Sequence, residues 1–218
     1  FADDAQCHII AVSSSMTGEG KSLTAVNLAY SMSQLGKRVL LVDCDMRRPS
    51  VAQKLPVKDS PGLSDFLSGQ VRGDNLIQHC GLPEDSCAFH VISAGRIPPN
   101  PMELLGSSKM ERTLQKLRES YDYIILDLPP VGEVGDALAV AKLTDGVLVV
   151  VRQDRCNRVA LTSAIRQFEF VDTRILGIVF NGASEESAGY GKKYYKKYGR
   201  GYGYGYGYSS AYSDVADG

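Results

Sequence analysis

Tryptophan is absent from this 218-residue chain, and no stretch comes near the roughly eighteen consecutive apolar residues that a membrane-spanning helix requires. No secretory leader is visible at its start, and it opens on Phe1 rather than Met, as expected of a piece of a longer protein. Cysteine is sparse: Cys7, Cys44, Cys80, Cys87 and Cys156 are odd in number, scattered, and form no C-x-x-C pair. That excludes a disulfide framework and a zinc site, and leaves reduced thiols packed as small apolar groups, as in a cytoplasmic protein. His8, His79 and His90 share no metal-ligand spacing. The formal net charge is −1, which excludes a generally basic nucleic-acid binder and leaves one local cluster, Lys192, Lys193, Lys196, Lys197 and Arg200. Aromatics are scarce wherever a core could form, because nine of the twelve tyrosines lie between Tyr190 and Tyr212. Glycines alternate with them there, so those rings cannot serve a packed core.

What remains is ordinary globular composition, 44% hydrophobic and 22% charged, enough for one domain with a sizeable core. Short runs that are apolar throughout alternate with helical patterns. Strands are expected at 8–13, 38–43, 89–93, 123–127, 146–151 and 175–181, and helices at 22–36, 101–120, 135–143 and 158–170, with a short one at 63–69. Continuous apolar strands belong in a sheet covered on both faces, and β–α alternation implies a doubly wound, mainly parallel α/β sheet. Composition changes abruptly after residue 182, which divides the chain into a folded domain, 1–182, and a flexible Gly/Tyr-rich tail, 183–218.

"SMTGEGKS" (15–22) stands between the first strand and the first helix. A glycine-rich turn at a helix N-terminus presents backbone N–H groups to an anion, so Thr17, Gly18, Glu19, Gly20, Lys21, Ser22 and Leu23 are the candidate nucleotide-binding stretch. In the pattern G-x-x-x-x-G-K-[ST], Lys21 reaches the β- and γ-phosphates and the Ser22 hydroxyl binds magnesium; Ser15 stands where that pattern has glycine. "VLLVDCDMRRP" ends a strand with Asp43 and Asp45, and "YIILDLPP" ends another with Asp127. Open α/β sheets bind ligands beyond the carboxyl ends of their strands, so the three acids are expected beside Lys21. Three carboxylates near a triphosphate call for a divalent cation between them, hence ATP and magnesium, with Ser22, Asp43, Asp45 and Asp127 as candidate metal ligands. One of these acids is then free to act as base toward an incoming hydroxyl, and the candidate is Asp43. Arg152 and Asn181, at later strand ends, face the same edge; Asp136 is expected to cap the helix that follows it.

The tail begins beside that edge, and a chain of about 3.3–3.6 Å per residue brings its first tyrosine within reach. Tyr190, Tyr194, Tyr195, Tyr198, Tyr202, Tyr204, Tyr206, Tyr208 and Tyr212 are therefore candidate phosphoryl acceptors. Taken alone, such a tail also fits a linker, a sticky aromatic segment or a nucleic-acid-binding segment.

Taken together, "SSSMTGEGKS", "LLVDCDMRRP" and "IILDLPP" resemble the Walker A, A′ and B motifs of the bacterial tyrosine kinases of capsule and exopolysaccharide synthesis. "PGLSDFLSG", "NPMELLGS", "LGIVFN" and the tyrosine-rich end resemble the same family in the same order. The resemblance implies a P-loop fold of the deviant Walker type and ATP-dependent autophosphorylation of the tail in trans. It also implies a transmembrane activator of the polysaccharide co-polymerase type, and a place on the inner face of the plasma membrane. By the same resemblance Arg47 either neutralises phosphate charge or merely caps the surface beside Pro49, and Asn181, at a position that reads adenine in related ATPases, is either that or a turn residue ending its strand. Thr17 stands where the family commonly has proline, and the family's E-x-x-R-x-x-R segment, an oligomer contact by resemblance, is not found in Phe1–Gln6. Met16 replaces the signature lysine of the partition and septum-site ATPases, which argues against that branch. Two other classes stay open beside the kinase: an ATPase whose nucleotide state controls assembly, and a regulatory module that holds nucleotide without turnover.

Overall fold

A computed structural model describes residues 7–81 and 88–183. The chain divides into Phe1–Gly182 and Ala183–Gly218, and the described elements lie in the first unit. The strands are β1 (His8–Ser14), β2 (Val39–Asp43), β3 (Gln78–Cys80), β4 (Phe89–Ile92), β5 (Tyr123–Asp127), β6 (Gly146–Arg152) and β7 (Ile175–Asn181). The helices are α1 (Lys21–Gln34), α2 (Leu63–Leu67), α3 (Pro101–Leu105), α4 (Ser108–Leu117), α5 (Asp136–Ala141) and α6 (Arg158–Phe170), with a 3-10 turn at Gly73–Asn75. They form one sheet in the order β3-β4-β2-β5-β1-β6-β7, parallel except for β3.

Strands that are apolar on both sides demand two covering layers. Val12, Leu41, Ile125 and Val150 pack on one face with Ala25, Val26 and Ala29 of α1. The opposite face sends Ile9, Leu40, Ile124, Leu126 and Val149 against the remaining helices, where Leu105, Met110, Val140 and Phe168 are fully buried. Small residues on α1 let that helix lie close to the sheet, which fixes where its first turn meets the end of β1. β2 and β5 run side by side in register, with Asp43 opposite Asp127, so parallel pairing alone places those two acids at one edge.

Two details depart from the sequence reading. The 101–120 segment is two helices, because the chain turns at Gly106 and the Ser107 hydroxyl accepts the Met110 N–H to start α4 afresh. β3, three residues long and antiparallel, was not anticipated; so short a strand has no periodicity to read. Cys7, Cys44 and Cys80 are free and buried and Cys156 is half-buried, while Cys87 lies outside the described residues.

Two phenylalanines on α6 test this packing. Phe168 is 0% exposed and Phe170 is 87% exposed. Phe168→Ala is expected to cost about 3–5 kcal/mol in urea unfolding, and Phe170→Ala to stay within about 0.5 kcal/mol of the parent.

Candidate active site

The loop from Ser15 to Gly20 leaves β1 and enters α1, and its shape is set by its own polar groups. Gly18 and Gly20 adopt left-handed φ of 79° and 95°. At Gly20 the need for glycine is double, since a Cβ there would also stand 2.1 Å from the Asn181 amide nitrogen. That amide donates to the Glu19 carbonyl at 2.9 Å. The Glu19 side chain turns inward, 0% exposed, and accepts the Ser15 O–H at 2.9 Å and the Met16 N–H at 2.8 Å. Around the rim, the Thr17 N–H donates to Glu133 at 2.5 Å, the Arg48 guanidinium reaches Thr17 Oγ1 at 3.5 Å, and the Arg152 guanidinium reaches the Gly18 carbonyl at 3.5 Å. The Arg155 guanidinium lies directly against Gly18, where a Cβ would meet it at 2.5 Å.

Inside this rim the charges converge. Lys21, only 8% exposed, places Nζ 2.8 Å from Asp45 Oδ2, 3.4 Å from Asp127 Oδ1 and 3.2 Å from Ser22 Oγ. Burial disfavours that ammonium, but the charges of Asp127 and Asp45 outweigh it and raise its pKa. Asp43 Oδ1 accepts the Asp45 N–H at 3.0 Å, and its Oδ2 accepts the Ser50 and Val51 N–H groups, each at 3.1 Å. Burial, and after it the nearby charge of Asp127, push the Asp43 carboxyl up to about 7, against the pull of those N–H donors. The Asp127 carboxyl is also raised by burial, against the pull of Lys21 and the Ser22 hydroxyl.

Among the described residues no three His, Cys, Asp or Glu side chains form a ready-made metal shell, because the Lys21 ammonium stands between Asp45 and Asp127. Magnesium does not need one: it takes one or two carboxylates, and water and phosphate oxygens complete its shell. Asp127 Oδ2 is buried with no hydrogen-bond partner among the described residues, and Ser22 lies at the first turn of α1. A buried acceptor without a donor is costly, so this oxygen suits a cation or its water.

Three comparisons bear on this geometry. A model of the AAA domain family matches residues 7–176. Tyrosine-protein kinase CpsD of Streptococcus agalactiae is 35% identical over 84% of this chain and 78% of its own. The chain belongs to the bacterial tyrosine-protein kinases. Among solved structures, the kinase domain of the Escherichia coli tyrosine kinase ETK superposes with a TM-score of 0.78 at 29% identity, covering 91% of this kinase chain and 72% of its own. Other curated tyrosine-protein kinases that it matches are longer, and it spans 25% of their length. Cobyrinic acid a,c-diamide synthase of Mycobacterium smegmatis, with bound ATP analogue and magnesium, is 20% identical with a TM-score of 0.67, covering 80% of this chain and 72% of its own, and shares the fold alone.

Several candidate residues of the kinase sit differently from the sequence reading. Arg47 is paired with Asp136: Nε and Nη2 hold both of its oxygens at 2.6 and 3.1 Å. Asp136 is accordingly the first residue of α5 and a buried ion-pair partner, while Gly135 occupies the cap. Asn181 donates one amide hydrogen to the Glu19 carbonyl of the loop, a bond that uses neither its second N–H nor its Oδ1. Leu23 is half-exposed on the first turn of α1. The nine tail tyrosines lie outside the described residues. Sequence reasoning missed Arg48, Glu133 and Arg155. Their signal was weak: each is a charged residue in a connection that leaves a strand end, where side chains face the loop only after the fold brings them round. It also missed a cavity of about 220 Å³ beside Asp43, lined by Pro49, Gln53, Asp59, Ser93 and Ile97.

The Arg47–Asp136 pair joins the connection after β2 to the start of α5. Arg47→Ala leaves the buried Asp136 carboxylate without its partner and is expected to cost about 1–3 kcal/mol in denaturant unfolding. Adding Asp136→Asn should recover part of that loss, and an Arg47→Ala protein as stable as the parent would show that the pair contributes nothing.

Proposed function

We propose that this tyrosine kinase transfers the γ-phosphoryl group of ATP to the tyrosines of its own C-terminal cluster, Tyr190 to Tyr212, in trans between copies. The observation that carries this reading is the buried Lys21 ammonium at the mouth of a glycine-rich loop, flanked by Asp45 and Asp127, with a third carboxylate, Asp43, beside an open cavity. In this reading the loop N–H groups and Lys21 hold the β- and γ-phosphates. A magnesium ion held there would supply positive charge against that developing on the phosphates and the leaving oxygen. Ser22, Asp45 and Asp127 are the residues that would hold it.

Asp43 is assigned the proton. Its carboxylate has about four acceptor positions, and three are filled by backbone donors. The fourth is available to a phenol that enters through the cavity. As the phenol O–H gives its proton to Asp43, the oxygen forms a bond to the γ-phosphorus. The bond from that phosphorus to the β–γ bridging oxygen breaks, and ADP leaves with the electron pair. A carboxyl held near neutrality suits this task.

We further infer a transmembrane activator of the polysaccharide co-polymerase type as partner, other copies of the chain as partners through tail docking, and a working position at the inner face of the membrane. The capsule-region naming of a Klebsiella relative supports that context. Among the described residues no helix is long and apolar enough to cross a membrane, so a membrane tie would come from a partner or from sequence beyond this stretch.

Incubation with ATP and magnesium followed by mass spectrometry of the tail tests the reading. Lys21→Met is expected to remove tail phosphotyrosine altogether while the protein still unfolds cooperatively, because the two acids it strands can take up protons. Undiminished phosphotyrosine in that variant, or free phosphate as the parent's sole product, overturns it.

The division of labour among the acids has its own test. Asp43→Asn is expected to abolish transfer yet bind an ATP analogue almost normally, whereas Asp45→Asn and Asp127→Asn should weaken binding in magnesium. Titrations giving the opposite order would reassign the base.

A further inference from the structure

We propose that Glu19 is a positioning residue: its buried carboxylate braces the phosphate loop from within and fastens it to the end of β6, with Ser15 as its partner. The inference rests on the reading of this loop as the nucleotide site. A negative charge directly beneath an anion cradle opposes phosphate binding, so the side chain has to serve something other than ligand contact. Its surroundings say what. Oε2 accepts two donors from the loop's own entry, the Ser15 O–H at 2.9 Å and the Met16 N–H at 2.8 Å. Oε1 faces the Arg152 N–H, 3.4 Å away, where β6 ends. The carbonyl of the same residue accepts the Asn181 amide at 2.9 Å, where β7 ends. One residue therefore ties the loop to two neighbouring strands, through its side chain and its main chain.

Ser15 acquires a reason in this arrangement. Glycine at that position would leave Oε2 with a single loop donor. The Ser15 hydroxyl also stands 3.1 Å from Cys156 Sγ, so the brace extends into the connection between β6 and α6. That same connection carries Arg152 and Arg155, whose guanidinium groups lie at Gly18 on the other side of the loop. The loop is thus held between an internal carboxylate and an external pair of cations.

Shape and charge are separable by substitution. Glu19→Gln keeps an oxygen for Ser15 and Met16 but removes the charge and the weaker acceptor facing the Arg152 N–H, Glu19→Ala removes all of these, and Ser15→Gly removes one donor. Hydrogen exchange of the nucleotide-free protein reads the brace directly. Exchange at the Met16 amide should be about tenfold or more faster in Glu19→Ala, clearly faster in Ser15→Gly, and near the parent rate in Glu19→Gln. Calorimetric titration with a non-hydrolysable ATP analogue and magnesium should follow the same order. Affinity should fall about tenfold or more in Glu19→Ala and clearly less in Glu19→Gln. The double variant with Ser15→Gly should be no weaker than Glu19→Ala alone, as for groups acting as one unit. Parent-like exchange in Glu19→Ala, or a Glu19→Gln protein as impaired as Glu19→Ala, overturns the proposal. Should Glu19→Ala not fold, exchange in Ser15→Gly and Glu19→Gln decides alone. A parent protein that binds no nucleotide would instead sink the nucleotide-site reading, and exchange would still judge the brace.

Discussion

The Lys21 ammonium, held between Asp45 and Asp127 with little access to water, is the contact on which the rest of this site depends. An ammonium and two carboxylates removed from water are expensive unless they face one another, so each fixes the other two. The three belong to separate segments: Lys21 opens α1, Asp45 follows β2 and Asp127 ends β5. Their meeting therefore requires β1 to lie beside β5 and β5 beside β2, all parallel, with β2 and β5 ending level. Asp43 and Asp127 in register are the consequence. Small α1 residues, Ala25 and Ala29, complete the condition by bringing the helix close enough for its first residue to reach across.

Around that centre the connecting loops are fastened to one another by charged and polar side chains. Arg47 joins the β2 exit to α5, Glu133 joins the β5 exit to Thr17, and Asn181 joins the end of β7 to Glu19. Loops held only by their own backbones would drift relative to one another. Bridges of this kind set their separation while leaving polar groups at the surface, and a displacement of about 1 Å at a phosphoryl-transfer site is costly.

How much of this was legible in the sequence follows from range. Lys21, Ser22 and the glycines form a pattern within eight residues, and Asp43, Asp45 and Asp127 each end an apolar run, so strand ends and the parallel rule suffice to predict one edge for them. The pairing of Arg47 with Asp136, 89 positions away, is a contact that no local pattern announces. Glu19 was legible only as a member of the loop. That its carboxylate turns inward depends on Ser15 four positions earlier and on Arg152, which no local pattern connects. β3 and the break at Gly106 were hidden for the opposite reason, being too short to show a period.

The three acids are chemically alike, and what separates them is the company each oxygen keeps. Asp45 gives one oxygen to Lys21 and the other to the Arg48 N–H, so its geometry is spent on the cation and on the turn after β2. Asp127 shares one oxygen with Lys21 and keeps the other buried and unpartnered, which favours a cation or its water. Asp43 makes no ion pair with Lys21 and is gripped by three backbone N–H groups. Those donors hold the carboxylate still, and a fixed orientation is what a proton acceptor needs at the moment of transfer. They also pull its affinity for a proton down, while burial and the charge of Asp127 pull it up, and the balance falls near neutrality. Asp43 thus differs from Asp45 and Asp127 in making no ion pair with Lys21 and in lining the neighbouring cavity, and the proposed division of roles rests on that difference.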